Sequence, residues 1–333
     1  MNIVYTFDDG YSSVTAVSIK SLLETNKSVK DLKIFIVDCG ISNINIENFK
    51  DLANEYNREI YFVNGKGYEN KIPVKLDLLY WSFVCYVRLF FSDIFPCLDK
   101  VLHIDCDTLV LDSLEKLYES DLEGNYCGAC YDCIPTSKYA CGMNVKDRYY
   151  SNGLILFDLK RMRDDNIQDK FINYIVESNG VLPHLDQDVL NNVLKNKIYT
   201  FNCRYNIMTQ NAVFGSKSCE FYEKLEPYYS KSDMEKGIQN PAVIHFVGFR
   251  YVGKPWSQPC YHPYNDQWLY YYDLISNSFD PKCNTIKKKK KKYGLFREII
   301  CYMWNNLGKL DVIRNLEFII EKKHVRNKCK FWE

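Results

Sequence analysis

The sequence of 333 residues lacks three features that would each point to a particular class of protein. No run reaches 18 consecutive apolar residues, so the sequence predicts no helix that spans a membrane. No Gly-x-Gly-x-x-Gly motif occurs, which argues against a nicotinamide dinucleotide site. The first residues run directly into a predicted strand, without a basic segment or a long apolar one. We therefore expect no signal peptide and a cytoplasmic chain.

Cysteine, in contrast, is abundant, with 14 residues. In a reducing compartment these thiols stay reduced, and we expect most of them to be small core residues. Cys127, Cys130 and Cys133 are spaced as C-x2-C-x2-C and are followed by Cys141, which is also a spacing found in iron–sulfur proteins. A buried strand over residues 125–131 accounts for the same thiols without a cluster, and we favour that interpretation.

The net charge of +1 conceals a strong asymmetry along the chain. Residues 282–333 contain 15 Lys and Arg against 5 Asp and Glu, whereas residues 1–281 contain 28 against 37. A composition change of this kind indicates that the basic segment has a partner of its own. We therefore divide the chain into a body, residues 1–280, and a basic tail, residues 281–333.

The tail begins with six consecutive lysines, Lys287 to Lys292. Apolar residues follow at helical spacing, namely Leu295, Phe296, Ile299, Ile300, Met303 and Leu307. A basic amphipathic helix is typical of proteins that bind an anionic membrane surface, and we expect this partner rather than nucleic acid. Packing of the helix against the body is the alternative.

Strands and helices alternate along the body. Strands are predicted at 2–7, 32–38, 59–63, 100–104, 125–131, 153–157 and 242–247, and helices at 14–25, 45–57, 78–95, 160–178 and 186–196. This alternation predicts βαβ units and an α/β fold with a largely parallel sheet. In such folds, ligands bind at the carboxyl ends of the strands.

The segment Asp105-Cys106-Asp107 comes directly after the predicted core strand 100–104. Two carboxylates one residue apart can both face one cation where the chain bends, and hard oxygen ligands suit Mn²⁺ or Mg²⁺ bound to a diphosphate. A solvated acidic turn is the alternative. The position at the end of a core strand favours the metal site.

A second group of residues lies near the end of the predicted strand 242–247. His245 can complete a metal site begun by two aspartates, Gly248 allows close approach of a phosphate, and Lys254 can neutralise its charge. A satisfied core histidine is the common alternative for His245. The glycine and lysine downstream favour the functional interpretation.

Two acidic segments are further candidates. Asp8-Asp9-Gly10-Tyr11 follows the first strand, where a carboxylate can bind a base or ribose and Tyr11 can stack on a base ring. Asp186-Gln187-Asp188 opens a predicted helix. An N-cap role would explain Asp186, and the alternative is that Asp186 and Gln187 face a reacting sugar.

Taken together, these motifs resemble family 8 of the retaining glycosyltransferases, which includes bacterial lipooligosaccharide galactosyltransferases, lipopolysaccharide glucosyltransferases and glycogenin. The matching segments occur in the family's order over about residues 2–260. They are Asp8-Asp9-Gly10-Tyr11, Tyr86-Val87-Arg88-Leu89, Asp105-Cys106-Asp107, Ser151-Asn152-Gly153, Asp186-Gln187-Asp188, Arg204-Tyr205-Asn206, and His245 with Gly248 and Lys254-Pro255-Trp256.

The resemblance implies a GT-A fold, with a Rossmann-like nucleotide-binding sheet in the body and the basic, mainly helical tail behind it. It implies a UDP-sugar donor, Mn²⁺ (with Mg²⁺ as the alternative), and a glycan or glycolipid acceptor. The implied metal ligands are Asp105, Asp107 and His245. The implied nucleotide site comprises Thr6, Asp8, Gly10, Tyr11, Asp105, Cys106, Gly248 and Lys254, with the Cys106 side chain a spacer that faces the core. The implied donor-sugar residues are Arg88, Asn152, Asp186 and Gln187, of which Asp186 and Gln187 are the catalytic candidates.

The sequence departs from the family pattern at two places. Five residues, 249–253, separate Gly248 from Lys254, where the family has two, so the role of Lys254 is less firmly implied than that of His245. Gly10 stands where relatives often have Asn, so a side-chain contact is lost there.

The expected reaction is transfer of galactose or glucose from UDP with retention of configuration, in cell-surface polysaccharide synthesis on the inner face of the membrane. A self-glucosylating initiator like glycogenin and a nucleotide-sugar-binding protein without catalysis are the alternatives.

Overall fold

The computed structural model describes residues 1–79, 81–134, 136–222, 227–249, 252–257, 260–279, 315, 318–320 and 322–323. Its strands are β1 Asn2–Phe7, β2 Lys33–Asp38, β3 Glu59–Asn64, β4 Lys100–Ile104, β5 Thr108–Val110, β6 Cys127–Tyr131, β7 Tyr150–Asp158, β8 Ile198–Thr200, β9 Ile207–Met208 and β10 Val243–His245. The Lys287–Lys292 run and the predicted amphipathic helix at 295–307 lie outside the described residues.

The α-helices among the described residues connect these strands. They are α1 Ser12–Thr25, α2 Asn43–Asn54, α3 Phe91–Ile94, α4 Glu115–Tyr118, α5 Thr136–Ala140, α6 Leu159–Asp164, α7 Ile167–Glu177, α8 Asp186–Val193, α9 Thr209–Phe214, α10 Lys231–Gln239 and α11 Asn265–Asp273. The 3₁₀ helices are Asp9–Tyr11, Tyr68–Lys71, Phe83–Phe90, Cys203–Tyr205 and Gly215–Tyr222. No helix within the described ranges is long and apolar enough to cross a membrane.

A seven-stranded sheet in the order β3-β2-β1-β4-β7-β6-β8 forms the centre of the body. Strands β1 to β4 are mutually parallel, as predicted, and β7 runs antiparallel to both β4 and β6. Strand β1 is buried on both faces, which fits its unbroken apolar sequence. The carboxyl ends of β1 and β4 therefore lie side by side, and Asp8 and Asp105 follow them directly.

A second sheet, in the order β5-β10-β9, begins immediately after the acidic triplet. Strands β5 and β8 are only three residues long, and β9 is two residues long. The sequence analysis predicted none of these three strands. Segments this short carry too little alternation to be recognised from sequence. The bend between β4 and β5 is the step from one sheet to the other.

Two predicted helices differ from the structure. The helix expected at 78–95 is a 3₁₀ helix, Phe83–Phe90, followed by the short α3, because Ser82 is extended and no helix precedes it. The helix expected at 160–178 is broken into α6 and α7 at Asn166, whose φ of 51° is left-handed. Asparagine tolerates this conformation better than most residues.

The thiols of the C-x2-C-x2-C segment do not converge on one site. Cys127 and Cys130 are three residues apart on strand β6, so they lie on opposite faces of the sheet, in two different core clusters. Cys130 contacts the Asn202 carbonyl oxygen, and Cys133 contacts Gln210 Oε1 at 3.1 Å. The described geometry corresponds to buried core thiols, not to an iron–sulfur site.

A chain of buried hydrogen bonds fixes the bend after β4. Thr108 Oγ1 donates its only proton to the Asp105 carbonyl at 2.9 Å, so Ser18 Oγ must donate to Thr108, at 2.8 Å. The Tyr5 hydroxyl then donates to Ser18 at 3.0 Å. The chain ties β1, α1 and β5 to the backbone of Asp105, at the start of the acidic triplet.

We expect Ser18→Ala to lower the free energy of unfolding by about 1–3 kcal/mol, because it leaves the Tyr5 hydroxyl buried without its acceptor. Urea denaturation measures the change. Ser92→Ala is the matched control, since Ser92 is also a buried serine but its hydroxyl has no hydrogen-bond partner among the described residues. Equal stability of the two variants would contradict a structural role for the chain.

Candidate active site

Asp105 and Asp107 lie on either side of the bend between the two sheets, so both carboxylates face the same space. Cys106, between them, turns into the core with its thiol 3.5 Å from the Thr6 carbonyl oxygen. Burial raises the pKa of this thiol and keeps it neutral. Cys106 is therefore a buried spacer, and its backbone is its only part that can reach a ligand in the cleft.

The pairing of β10 with β5 brings His245 to the two aspartates. His245 pairs with Thr108 across the antiparallel ladder, one residue from Asp107. Its Nε2 atom lies 3.1 Å from Asp107 Oδ1 and 3.8 Å from Asp105 Oδ2. One ligand atom from each of the three residues lies within 4.8 Å of the others.

Asn206 fixes the tautomer of His245. The Asn206 amide nitrogen donates to Ser151 Oγ at 3.1 Å, so its oxygen faces the imidazole. That oxygen lies 3.1 Å from His245 Nδ1 and can only accept, so Nδ1 carries the proton. In the neutral ring, the lone pair of Nε2 then points at Asp105 and Asp107. The sequence analysis gave Asn206 and Ser151 only as matching segments and assigned them no role.

This arrangement fits a divalent cation. An imidazole lone pair facing two carboxylates is repulsive unless a positive charge lies between them. Two carboxylate oxygens and one neutral imidazole nitrogen are a donor set suited to Mn²⁺, whereas Mg²⁺ prefers oxygen throughout. The proton on Nδ1, held by Asn206, supplies the outer hydrogen bond typical of metal-binding histidines.

Arg88 links the acidic triplet to helix α8. Its guanidinium is buried and contacts Asp105 Oδ1 at 2.9 Å and Asp186 Oδ2 at 3.2 Å, and its NH1 group donates to the Asn152 carbonyl at 2.6 Å. Burial opposes the charge, but the two carboxylates outweigh it and raise the Arg88 pKa. The 3₁₀ helix Phe83–Phe90 therefore places a permanent positive charge, the Arg88 guanidinium, at the floor of the site.

Asp186 does not cap helix α8, so the N-cap interpretation is wrong. The N-cap is Leu185, held at φ 51° and ψ −126°, and Asp186 is the first helical residue. Its carboxylate accepts from the Asn152 side chain at 2.6 Å and pairs with Arg88. Burial raises the pKa of Asp186 to about 6, against the opposing charge of Arg88.

Both ends of the Gln187 amide are engaged. Its oxygen accepts from the Asn152 backbone at 3.1 Å, and its nitrogen donates to Asp132 Oδ2 at 2.7 Å and to the Tyr149 hydroxyl at 3.2 Å. Asp132 and Tyr149 did not emerge from the sequence analysis, because neither belongs to a recognisable motif. They orient Gln187 from the side facing away from Arg88.

The segment after β1 has two acidic residues with different roles. Asp9 closes the loop by accepting from the Ser42 backbone and the Asn45 side chain, each at 2.8 Å. Within the described ranges, Asp8 accepts only from the Gly10 backbone, at 3.1 Å, and it lines a cavity of about 480 Å³. Tyr11 is 45% exposed, so part of its side chain is accessible to a ligand.

Thr6, the last residue assigned to this part of the site, is buried at the end of β1. Its hydroxyl has no hydrogen-bond partner among the described residues. Its carbonyl oxygen contacts Cys106, so the ends of β1 and β4 are in direct contact. The predicted nucleotide residues of the first strand and the acidic triplet therefore lie at the same edge of the sheet.

Lys254 reaches the acidic triplet despite the longer connection from Gly248. Its Nζ lies 2.5 Å from Asp107 Oδ2 and over the Trp256 ring, 5.1 Å from the centroid. A Cβ atom on Gly248 would lie 4.0 Å from Lys254, so these two residues are neighbours. Burial opposes ionisation of Asp107, but the charge of Lys254 beside it outweighs burial and holds the Asp107 pKa well below its usual range.

Gly153 makes room for His245. A Cβ atom at this position would lie 2.2 Å from Cε1 and 2.3 Å from Nδ1 of the imidazole. We therefore expect Gly153→Ala to displace the ring from Asn206 and Asp107 and to weaken Mn²⁺ binding by roughly 10- to 100-fold. Titration calorimetry with Mn²⁺ measures the affinity, and circular dichroism checks that the variant is folded.

Gly142→Ala is the control for that experiment. No heavy atom lies within 4 Å of a Cβ at Gly142, although its φ of +75° adds some backbone strain. Its Mn²⁺ affinity should match that of the unaltered chain. Unchanged affinity in Gly153→Ala would show that His245 does not bind the cation.

Comparisons with known proteins identify the family of the chain. The sequence profile described as "Glycosyl transferase family 8" matches residues 2–260. The chain is 30% identical over 212 residues to a putative glycosyltransferase of Haemophilus influenzae, a match that covers 62% of this chain and 63% of that one. It is 25% identical to the lipopolysaccharide 1,2-glucosyltransferase of Escherichia coli K12, covering 84% of this chain and 78% of that one.

Solved structures share the fold. The galactosyltransferase LgtC, crystallised with donor and acceptor sugar analogues, superposes with a TM-score of 0.68 at 26% identity, covering 82% of this chain and 96% of LgtC. The pneumococcal glycosyltransferase GlyE superposes with a TM-score of 0.57 at 21% identity, covering 84% of this chain and 63% of that one, and shows the fold alone. The body has the expected GT-A fold, and the chain belongs to glycosyl transferase family 8.

Proposed function

We propose that this protein is a retaining hexosyltransferase that moves galactose or glucose from a UDP-sugar to a glycan or glycolipid acceptor, with Mn²⁺ as cofactor. One observation carries the proposal. The carboxylate–imidazole cluster of Asp105, Asp107 and His245 lies between a lysine suited to a diphosphate and an Arg88–Asp186 pair suited to a sugar. The family and the names of the relatives support cell-surface polysaccharide synthesis as the setting.

The nucleoside would occupy the cleft at the end of β1. Asp8 has free acceptor capacity for a base or ribose, and the exposed ring of Tyr11 offers a stacking face. Gly10 contributes no side chain, so the contact expected from an asparagine there is absent. The Thr6 and Cys106 backbones line the same edge of the sheet.

Asp105, Asp107 and His245 would hold the cation. A bound divalent ion supplies Lewis-acid stabilisation of charge on the leaving diphosphate. Lys254 is the second source of positive charge. Its ammonium pairs with Asp107 in this structure, and a diphosphate beside it would offer an alternative partner of greater charge. Gly248 leaves the backbone next to Lys254 open to phosphate oxygens.

The donor sugar would lie against Arg88, Asn152, Asp186 and Gln187. Asp186 is held by Arg88 and Asn152, so it can orient sugar hydroxyls and stabilise positive charge that develops on the anomeric carbon. Gln187 is a neutral amide with both ends hydrogen-bonded, which makes it a poor nucleophile. Front-face attack, with the leaving phosphate accepting the proton of the acceptor hydroxyl, retains configuration without a covalent intermediate.

Two other functions are compatible with the same family. A self-glucosylating initiator needs an acceptor tyrosine near the sugar, and Tyr11 and Tyr149 are the tyrosines that border the site as described above. A nucleotide-sugar-binding protein without catalysis would not need the buried Arg88–Asp186 pair. The intact set of charged residues favours the transferase.

A donor screen tests the proposal. We expect UDP release in the presence of Mn²⁺ and a sugar acceptor from UDP-galactose or UDP-glucose, with an α-linked product by NMR. Asp105→Ala should reduce kcat/KM by at least about a hundredfold, because it removes a metal ligand and an Arg88 partner together. Asp99→Ala is the control, since Asp99 precedes the opposite end of β4 and its side chain is exposed.

Three results would contradict parts of the proposal. Full activity of Asp105→Ala would exclude the metal site. A β-linked product would exclude retention. Equal incorporation of sugar into the protein itself, with no transfer to added acceptor, would favour the self-glucosylating alternative.

We further propose that the lysines of the tail bind the cytoplasmic face of an anionic membrane, where a glycolipid acceptor would lie. Changing all six residues from Lys287 to Lys292 to glutamine should abolish flotation with phosphatidylglycerol vesicles, because each lysine contributes about 1 kcal/mol near such a surface. Phosphatidylcholine vesicles are the control. Undiminished flotation of the glutamine variant would refute the membrane role. This variant leaves residues 315–323 in place.

A further inference from the structure

The described part of the tail is packed against the body. Phe318 is 8% exposed and joins a small buried cluster, which we call the aromatic cluster. Its members are Val213, Phe214, Phe221, Tyr222, Phe249, Val252 and Phe318. One residue of the tail thus completes a hydrophobic core that is otherwise built from residues 213–252.

Ring contacts hold Phe318 in this cluster. Its ring stacks on Phe221 at a centroid distance of 5.2 Å and meets the edge of Phe214 at 5.8 Å. Phe214 in turn contacts Phe249 in a T-shaped arrangement at 5.6 Å. Two consecutive ring contacts therefore run from Phe318 through Phe214 to Phe249, and Phe221 contacts Phe318 from the side.

Polar contacts fix the same segment of the tail. Lys322 pairs with Glu220 at 2.7 Å, and Lys217 donates to Asn315 Oδ1 at 2.8 Å. Glu220 also pairs with Lys231 of α10. These contacts lie at both ends of the described tail segment, so the position of Phe318 does not depend on one ring alone.

The aromatic cluster reaches the candidate active site through the connection between Gly248 and Lys254. Phe249 and Val252 belong to this connection, and Val252 is completely buried. Helix α9 holds the start of the connection, because Thr209 Oγ1 donates to the Val247 carbonyl at 2.8 Å. The cluster is therefore the support beneath the segment that carries Lys254 to Asp107.

This connection is one of the two places where the sequence departs from the family pattern, with five residues where the family has two. A longer connection has more conformations to lose, and it holds Lys254 in place only if its side chains are anchored. The family profile ends at residue 260, so it does not include Phe318. The longer connection and the additional packing of Phe318 therefore occur together in this chain.

We propose that Phe318 is a positioning residue for the diphosphate site: it anchors the Phe249–Val252 connection, which in turn holds Lys254 and Gly248 at the acidic triplet. The tail then has a role in donor binding that is separate from membrane binding. The ligand part of this inference rests on the proposed function, but the anchoring part does not.

The chain touches the body on both sides of its lysine run. Before the run, Phe279 packs on Phe49 of α2 at 4.8 Å, and after it Phe318 packs in the aromatic cluster. The chain that follows the lysines therefore contributes Phe318 to the aromatic cluster, which supports the proposed donor site. Attachment of this segment to a surface would act on the same anchor.

Hydrogen exchange of the full chain tests the anchoring. In Phe318→Ala, peptides covering residues 246–257 should exchange faster, because the amides of Val252 and Ser257 bond within this connection, to Phe249 and Lys254. Ile319→Ala is the matched control, since Ile319 is adjacent and 62% exposed. Phe318→Leu should restore most of the protection by keeping an apolar side chain in the cluster.

Binding of UDP in the presence of Mn²⁺, measured by calorimetry, is the second readout. We expect Phe318→Ala to weaken UDP binding by roughly five- to tenfold, with Ile319→Ala unchanged and Phe318→Leu near the unaltered value. If the unaltered chain does not bind UDP, the proposed function fails and the exchange experiment still decides the anchoring.

Unchanged exchange at 246–257 in Phe318→Ala would overturn the inference, as would faster exchange confined to residues 209–222. If Phe318→Ala does not fold, Glu220→Gln provides the same test, because it weakens the Lys322 contact without opening the core. Faster exchange at 246–257 in that variant supports the anchor, and no change there refutes it.

Discussion

Buried charge is the constraint on which the rest of this structure depends. Asp105, Asp107 and Asp186 face Arg88 and Lys254 in a largely buried site, so three carboxylates meet two permanent cations. The excess is one negative charge. Separating any of these groups from its partners leaves an uncompensated buried charge, which is strongly destabilising.

The fold keeps these charges together by joining two sheets at one bend. Strand β4 belongs to the large sheet, and the chain turns at the acidic triplet. Strand β5 then begins the small sheet, where it pairs with β10, the strand that contains His245. The hydrogen-bond chain from Tyr5 through Ser18 and Thr108 fixes that turn from below. Stability and ligand geometry thus rely on the same few groups. The tautomer of His245 follows from a second such chain, through Asn206.

Much of the fold and site could be predicted from sequence because the signals are local. The parallel strands β1 to β4 are five or six residues long and mostly apolar, and Asp8 and Asp105 follow two of them directly. The order of the motifs, which resembles that of the family, predicted that Arg88, Asn152 and His245 belong to one site. Two sets of contacts could not be predicted in this way. Asp132 and Tyr149 contact Gln187, and Asn206 contacts His245, and each contact joins residues that are distant in sequence. The N-cap interpretation of Asp186 is wrong because Asp186 is the first residue of helix α8, and its carboxylate pairs with the buried Arg88 instead.

The stretched connection between Gly248 and Lys254 shows how a departure from a family pattern can be compensated elsewhere in the chain. By itself, the greater length implies a less firmly placed lysine, yet Lys254 lies on Asp107. The connection includes Phe249 and Val252, whose side chains are buried with Phe318 in the aromatic cluster. Burial of such side chains contributes about 1.5–3 kcal/mol each, enough to offset the entropy lost by a few ordered residues. Phe318 is thus part of the packing that supports the segment carrying Lys254.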